Sequence, residues 1–483
     1  MKNRLHKHVA FLLVLASLLT FSGCSSSGEA ETAVQQAAGE QETAAETTPE
    51  TSVLEALPVE DLGGMSFRML GVSYPTRRNF PVEEETGEAV NDALVRRDLA
   101  VSEMLNVVIE SQAEDKADSV TKIVKDTVIA GDAVCDMIIS DIASSLMTLM
   151  TGGSLLDMRQ MDNLSLAENW WSYGMYENAS INGRQYITMG DISPMKYYAP
   201  YCLAYNQKLG ADYGYSDLYE EVLNGTWTVD MFHTMLEDAN KDLDGDGDID
   251  KDDFHGYAHV DTTITAWSHY TGAGQMLSTT DADGKIVIPI GSDNSVTVIE
   301  KLRTILGYSP DFNAGNNDTM IMFMEDRALF FGNSYSNIIA NFREMESDFS
   351  VIPTPKYNED QEHYYSFINT WCLGGVGVPV TCQNPDATGL VMEALGRASY
   401  LEVRPALYET TIKSKVSRNA QNAQILDIIF DNTYIDCNGL FNIGGSADVV
   451  GQAILGDVEF ASAYAAVQKK MDTAIEDLMK IGQ

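Results

Sequence analysis

Cysteine is scarce in this chain of 483 residues, and so is positive charge: six cysteines, and 31 lysines and arginines against 71 aspartates and glutamates. After Cys24 the cysteines stand at 135, 202, 372, 382 and 437. That odd, scattered set sits in apolar or strand-like surroundings, which argues against a disulfide framework, and no spacing matches a metal site. They read as small buried hydrophobes. The formal net charge of −40 excludes nucleic acid as a partner and admits a polyanion only where local basic groups override the field. Also missing are His-Glu-x-x-His, Gly-x-Ser-x-Gly or any comparable catalytic constellation. Aromatic residues are absent from residue 22 to beyond residue 59, where Ala, Glu, Gln, Thr and Ser dominate. Such a composition buries too little apolar surface to offset its ordering entropy, so the segment is expected to be a disordered tether.

The front end explains what the tether would hold. Lys2, Arg4 and Lys7 precede an apolar run over residues 9–19, followed by Phe21-Ser-Gly-Cys24. This is a secretory leader whose apolar core is too short to span a bilayer as a mature helix. The small residues before Cys24 resemble a bacterial lipoprotein cleavage box, with Phe21 where Leu is usual, and the resemblance implies lipidation of Cys24. An ordinary secretory cleavage nearby is the alternative. With ~35 residues of flexible coil, the folded part would sit roughly 30–35 Å from its anchor. The remaining chain of about 420 residues is enough for two or more domains.

The sharpest chemical signal is the run Asp242-Leu-Asp-Gly-Asp-Gly-Asp-Ile-Asp-Lys-Asp-Asp253. Counting from Asp242, carboxylates fall at positions 1, 3, 5, 9 and 12 through Asp242, Asp244, Asp246, Asp250 and Asp253. Gly247 stands at position 6, and Asp248 would offer its backbone carbonyl at position 7. Carboxylates this dense repel one another unless a hard cation with high oxygen coordination sits among them. The loop therefore reads as a single structural calcium site, with Asp253 shorter than the usual Glu; the plain alternative is a solvated acidic turn.

Elsewhere periodicity sets out an α/β pattern. Residues 67–72 read as a strand, followed by a loop with Tyr74, Arg77 and Arg78. A helix then presents Val90, Ala93, Leu94, Val101, Met104 and Leu105 on one face. Residues 107–110 make a strand, 119–130 a helix ended by Gly131, and 135–140 a buried strand running into Asp141 and another helix. Strands alternating with helices imply a mostly parallel sheet, whose ligands sit beyond the carboxyl ends of the strands. Tyr74, Arg77, Ser140 and Asp141 are candidates there. Trp170-Trp-Ser-Tyr173, residues 195–201, Trp267-Ser-His-Tyr270, Tyr335 and Trp371 punctuate loops, and aromatic faces pack against the C–H faces of sugar rings. Most of these rings are expected to fill cores. Trp227 is assigned to structure, wedged under a helix capped by Thr226 or Thr228.

Several motifs then recur in one order: Val90-Asn-Asp-Ala-Leu94 with Arg96-Arg97, Tyr205-Asn-Gln-Lys-Leu209, Gly225-Thr-Trp-Thr-Val-Asp-Met-Phe232, the Asp-rich loop into Phe254-His-Gly-Tyr257, Asp326-Arg-Ala-Leu-Phe-Phe-Gly332 and Phe349-Ser-Val-Ile-Pro-Thr-Pro355. Together they resemble the extracellular solute-binding proteins of bacterial ABC importers, of the carbohydrate-binding type. The resemblance implies an α/β, two-lobed type II periplasmic-binding-protein fold with hinge crossings and a helical C-terminal end. It divides the chain into a leader (1–23), a lipidated tether (24–60), a first lobe (61–195 and 366–404) and a second lobe (196–365 and 405–483) carrying the loop 242–253. The final helix, with Phe460, Tyr464, Val467, Met471, Ala474 and Leu478 in register, is expected on the second lobe. The ligand candidates are therefore Arg77, Ser140 and Asp141 at the strand ends, and, beside the resemblance, Trp267, Tyr335 and Trp371 as stacking aromatics. The implied partners are a sugar or oligosaccharide and membrane permease subunits, the implied place the outer face of the cytoplasmic membrane, and the implied state a monomer without catalysis. A secreted calcium-dependent polysaccharide-acting enzyme, a peptide or other small-solute binder and a calcium-dependent assembly module are the alternatives; neutral and acidic sugars both stay open.

Overall fold

The computed structural model describes residues 54, 56–58, 60–73, 82–215, 218–243, 245–247, 253–260, 262–307, 316–342, 344–369, 374–413 and 421–482. All of them lie in one compact unit spanning residues 49–483. Its strands in chain order are β1 (Met65–Val72), β2 (Val107–Glu114), β3 (Met137–Asp141), β4 (Tyr201–Asn206), β5 (His255–His259), the hairpin pair β6 (Thr279–Thr280) and β7 (Ile286–Val287), β8 (Ala328–Ser334), β9 (Phe349–Ile352), β10 (Ser366–Phe367), β11 (Gly374–Gly377) and β12 (Thr433–Tyr434).

The first sheet has the order β11-β3-β1-β2. β1 pairs in parallel with β2 from Met65↔Val107 to Val72↔Glu114, and with β3 through Leu70↔Ile138. The helix Ala89–Leu105 returns the chain between β1 and β2. It buries Val90, Ala93, Leu94, Val101 and Leu105 and stops where Asn106 turns left-handed at φ 47°. The helix Ala117–Ala130 makes the next crossover and is closed by Gly131 at φ 74°, as the sequence implied. β11 arrives from far along the chain and runs antiparallel on the open side of β3, with Val376 opposite Ile139.

The second sheet, β5-β8-β4-β9, is mixed. β5 is parallel to β8, while β4 runs antiparallel to both β8 and β9. Every residue of β4 and β8 is buried, which requires cover on both faces. On one face lies Trp227, fully buried, 5.7 Å from Phe330 in a stacked pair and edge-on to Phe232. Thr228 caps the helix Val229–Ala239 by accepting from the Met231 amide, so the tryptophan wedges beneath a capped helix. Burying each such ring contributes roughly 2–3 kcal/mol. Gly332 is required here, because a Cβ would come within 2.0 Å of the Tyr257 hydroxyl.

Two helices connect the two sheets. The boundary expected at Arg404 falls inside one continuous helix, Pro385–Lys413, which contains Pro405. Leu390, Val391, Leu395 and Ala398 pack in the cluster under the first sheet, while Val403 and Leu407 join the core of the second. Pro405 has no amide proton for the carbonyl one turn back, so the helix is weakest where it passes between the two cores. The terminal helix Phe460–Leu478, expected on the second lobe, spans both. Tyr464 packs against both clusters, whereas Met471 and Leu478 join Leu70, Val120 and Ile138 of the first. The helical turn that meets it needs Gly444, whose φ is 63° and whose Cβ would reach within 2.4 Å of the Met471 amide nitrogen.

Cys135, Cys202, Cys382 and Cys437 are buried and unpaired, and burial pushes their thiols up, that of Cys135 to about 12. They behave as the small hydrophobes read from sequence; Cys24 and Cys372 lie outside the described residues.

The second core also buries His259 and His269. His269 Nε2 lies 2.9 Å from the Tyr257 hydroxyl and its ring stacks on Phe232, while His259 Nε2 has no hydrogen-bond partner. Burial lowers the imidazoles to about 4 for His259 and about 3 for His269. Both are neutral in the fold, so stability is complete above the unfolded value near 6.5 and falls as pH drops from there toward 4. Each contributes on the order of 1 kcal/mol per pH unit in that window. Buried Asp436, raised to about 6, opposes this trend, since its unfolded form ionises first as pH rises. In urea titrations at pH 7.5 and 5.0, His269→Gln should therefore lose less stability on acidification than the unmodified protein, by about 1 kcal/mol or more; equal losses would contradict a neutral buried His269.

Candidate functional site

Between the first sheet and β4 the chain passes through a short buried segment whose residues are held from several sides. Asp191 is 0 % exposed; its Oδ1 accepts from Lys196 Nζ at 2.8 Å and from the Tyr197 hydroxyl at 2.6 Å, and its amide donates to the Trp170 carbonyl. The Ile192 carbonyl accepts from Arg97 of the helix Ala89–Leu105. Beside this segment opens a cavity of about 650 Å³.

One wall is Trp171 with Ser172, Gly174, Glu177 and Asn178 from the short helix Tyr173–Asn178. Glu393, fully buried on the long helix Pro385–Lys413, sets the tryptophan: its Oε2 accepts from Trp171 Nε1 at 2.9 Å and its Oε1 from Trp170 Nε1 at 3.0 Å, with Arg397 completing the charge at 3.0 Å. A carboxylate accepting this many donors is a rigid anchor. Lys196 lines the floor. The same long helix contributes Tyr400 and Arg404, and the far wall is Tyr365, His363 and the run 430–434. These meet because β10 pairs with β12 in parallel, Phe367 opposite Tyr434, which brings the Tyr365 and Tyr434 rings to 6.3 Å edge to face.

Arg404 is tied down tightly. Its Nη2 reaches Asp431 at 2.8 Å and Asp427 at 3.2 Å, and its Nε donates to the Tyr408 hydroxyl at 3.1 Å. Its pKa is raised, by Tyr197, Tyr408 and Asp431 against the opposing effect of burial, so it remains charged. Burial raises Asp431 above the ordinary carboxylate range, partly offset by Arg404. The resulting cavity combines aromatic faces (Trp171, Tyr365, Tyr400, Phe430, Tyr434) with amides, hydroxyls and neutralised ion pairs. It presents apolar planes and hydrogen-bonding groups at once, the requirement of a polyhydroxylated ring.

Tyr74, Arg77 and Trp371 lie outside the described residues. The other four candidates are not among the described residues lining the cavity. Ser140 is buried at the end of β3, where β11 pairs alongside it with Gly375 opposite. Asp141 is half-buried and accepts from Ser144. Trp267 is 7 % exposed, edge-on to Phe367, with its indole N–H on the Ala447 carbonyl at 2.7 Å. Tyr335 packs edge-on to Phe430 at 5.3 Å, one layer behind a ring that lines the cavity. Sequence reasoning missed Lys196, Tyr365, Tyr400, Arg404, Phe430 and Asp431. Trp171 and Lys196 stood in stretches already marked as aromatic-rich, but the others depend on the pairing of residues 366–367 with 433–434, which leaves no periodic signal.

The acidic loop is described in part. Asp242 accepts from the Gly245 amide through Oδ1 at 2.6 Å and from the Gly247 amide through Oδ2 at 2.9 Å. Gly245 and Gly247 take φ of 80° and 93°, and Lys241 and Phe254 close the loop by pairing backbone to backbone. Asp253 is 1 % exposed and accepts from the Leu243 amide at 2.7 Å. Asp246 is exposed, and Asp244, Asp248 and Asp250 lie outside the described residues. Among the described residues no three metal-ligating side chains converge. The donor set, all carboxylate and carbonyl oxygen around glycine turns, is the chemistry a calcium ion takes.

No protein-family profile matches this chain, and no curated protein matches it. Solved structures do. A cyclo/maltodextrin-binding protein complexed with maltotetraose superposes with TM-score 0.57 at 13% identity, covering 88% of this chain and 100% of its own. A family 1 extracellular solute-binding protein from Bifidobacterium longum subsp. infantis gives 0.54 at 13% identity, with 85% and 100% covered. The galacto-N-biose-/lacto-N-biose I-binding protein of the ABC transporter from Bifidobacterium longum, in complex with lacto-N-biose, gives 0.53 at 13%, with 87% and 99% covered. At such identity the likeness concerns the fold, and it spans nearly the whole length of each neighbour. The chain has the two-lobed α/β fold shared by these extracellular solute-binding proteins, with a helical C-terminal end.

Proposed function

We propose that this protein is the extracellular substrate-binding component of an ABC importer, which holds a sugar or oligosaccharide in the cavity beside the crossing segment and delivers it to a membrane permease. The observation that carries the reading is the cavity itself: five aromatic side chains and a ring of amides and hydroxyls, contributed by segments on both sides of the crossings. Solved proteins of the same fold, in complex with maltotetraose and with lacto-N-biose, support it. The lobes are taken as 61–195 with 366–404 and 196–365 with 405–483. Ligand contacts made by both lobes exist only when the lobes are together, so a sugar shifts an open population to a closed one that the permease reads. No catalytic step is assigned. The basic, apolar and small-residue leader supports secretion with lipidation at Cys24, which would leave a monomeric binding body tethered outside the cytoplasmic membrane. Among the described residues no helix is long and apolar enough to cross a membrane.

Thermal melting with a panel of oligosaccharides tests the reading. A ligand at a hundred times its dissociation constant stabilises by about 2.7 kcal/mol. Tyr365→Ala should weaken that ligand by about tenfold, the value of one lost aromatic contact. The saccharide should be recovered intact. A degraded saccharide would point to a polysaccharide-acting enzyme, and the absence of any shift would refute sugar binding.

Calcium belongs to the same proposal as a structural ion. Asp242, Asp246 and Asp253, with Asp244, Asp250 and the Asp248 carbonyl, would hold it, and bound calcium would neutralise the crowded carboxylates. Calcium at a hundredfold excess over its dissociation constant should raise the melting free energy by about 2.7 kcal/mol, reversibly with chelator. Asp253→Asn should abolish the response. Identical melting with calcium and with chelator would leave the loop a solvated acidic turn.

A further inference from the structure

We propose that Asp431 is a specificity-determining residue which, by holding Arg404 neutralised at the cavity wall, makes the site accept neutral saccharides and reject acidic ones. This rests on the sugar-binding reading above.

The described cavity lining contains two permanent cations, Lys196 and Arg404. Either could in principle pair with the carboxylate of a uronate. Each already has a protein carboxylate. Lys196 Nζ lies 2.8 Å from Asp191 Oδ1, with both residues almost wholly buried, so that charge is fixed inside the fold. Arg404 Nη2 is shared between both oxygens of Asp431, at 2.8 and 3.1 Å, and Asp427 at 3.2 Å. Glu177 adds another acidic group to the lining, and the one lining histidine, His363, stands 3.5 Å from Glu362. A ligand in this space thus faces two cations and two lining carboxylates, Glu177 and Asp431, while Asp191 and Asp427 pair with the same cations from behind the lining. An incoming carboxylate would have to displace an existing partner and face the remaining acids across a partly desolvated space, which is unfavourable on both counts.

The same cations still have donors to give. Among the described residues, Arg404 Nη1 and the N–H bonds of Lys196 beyond the one to Asp191 make no hydrogen bond. Ion-paired donors suit the hydroxyl oxygens of a neutral sugar, which accept hydrogen bonds without bringing charge. Asp431 differs from Asp191 in that its side chain is half-exposed, so it can be changed with little effect on the core. Removing its charge would uncover that of Arg404, and discrimination by charge of this kind works by penalising the wrong ligand rather than by improving the right one.

The test is binding of neutral probes (maltotetraose, lacto-N-biose, cellotetraose) and acidic probes (trigalacturonate, a glucuronate-containing disaccharide) to the protein and to Asp431→Asn, by calorimetry and thermal shift. Circular dichroism and the melting point confirm that the variant is folded, and Asp427→Asn provides a second, independent loss of the neutralising charge. The inference expects neutral probes to bind the unmodified protein at least tenfold more tightly than acidic ones. It also expects Asp431→Asn to shift the ratio of acidic-probe to neutral-probe affinity at least tenfold toward the acidic probes. Equal or tighter binding of an acidic probe by the unmodified protein would overturn this inference but leave the sugar-binding reading standing. So would folded Asp431→Asn and Asp427→Asn variants whose selectivity is unaltered. Failure of all five probes would overturn the reading and this inference with it.

Discussion

The ion pair between Asp191 and Lys196 is the interaction on which the architecture of this protein converges. A carboxylate with no exposure is tolerated only when its charge is met at short range, because the desolvation cost of an unpaired ion reaches several kcal/mol. Here the ammonium and the Tyr197 hydroxyl both close on one oxygen. The pair sits where the chain leaves the first sheet, its backbone is bonded to Trp170, and the next residue is bonded to Arg97. The crossing is therefore fixed in position with respect to the Trp170–Trp171 pair on one side and the start of β4 on the other. A ligand wall that needed only a loop would be soft; this one is set by buried charge.

The long helix Pro385–Lys413 complements that fixed point. Glu393 anchors the tryptophans, Arg404 reaches into the cavity, and Pro405 interrupts the hydrogen-bond ladder one residue later. Rigid contacts to the first core and a weakened turn beside the second belong to the same element. The terminal helix, with Tyr464 against both cores and Met471 and Leu478 in one of them, adds a second span across the same division.

Much of the first sheet was legible in the sequence because its strands and helices are local and periodic. Val90, Ala93, Leu94 and Val101 mark a helix face, and Gly131 its neighbour's end, before any tertiary contact is known. Trp227 was legible for the same reason, since Thr228 and the apolar spacing after it fix a capped helix. The site was not legible in the same way. Ser140 and Asp141 were placed correctly at the end of a parallel strand, but β11 comes from more than 230 residues later to pair alongside that end, and no local pattern announces it. Trp267 looked like a loop aromatic, yet it belongs to the helix Thr263–Gly272, buried from Thr265 to its end. Arg404 and Asp431 acquire a role only when the long helix and the β10–β12 pair bring them together.

The chain carries a strong negative charge, and its two cavity cations are each paired with protein carboxylates. The most direct measurement is a crystal structure of the protein with the saccharide that gives the largest thermal shift. The account predicts an intact sugar ring against Trp171 or Tyr365, its hydroxyls within hydrogen-bond distance of Lys196 and Arg404, and contacts from both lobes. A saccharide bound elsewhere, or touching only one lobe, would contradict it.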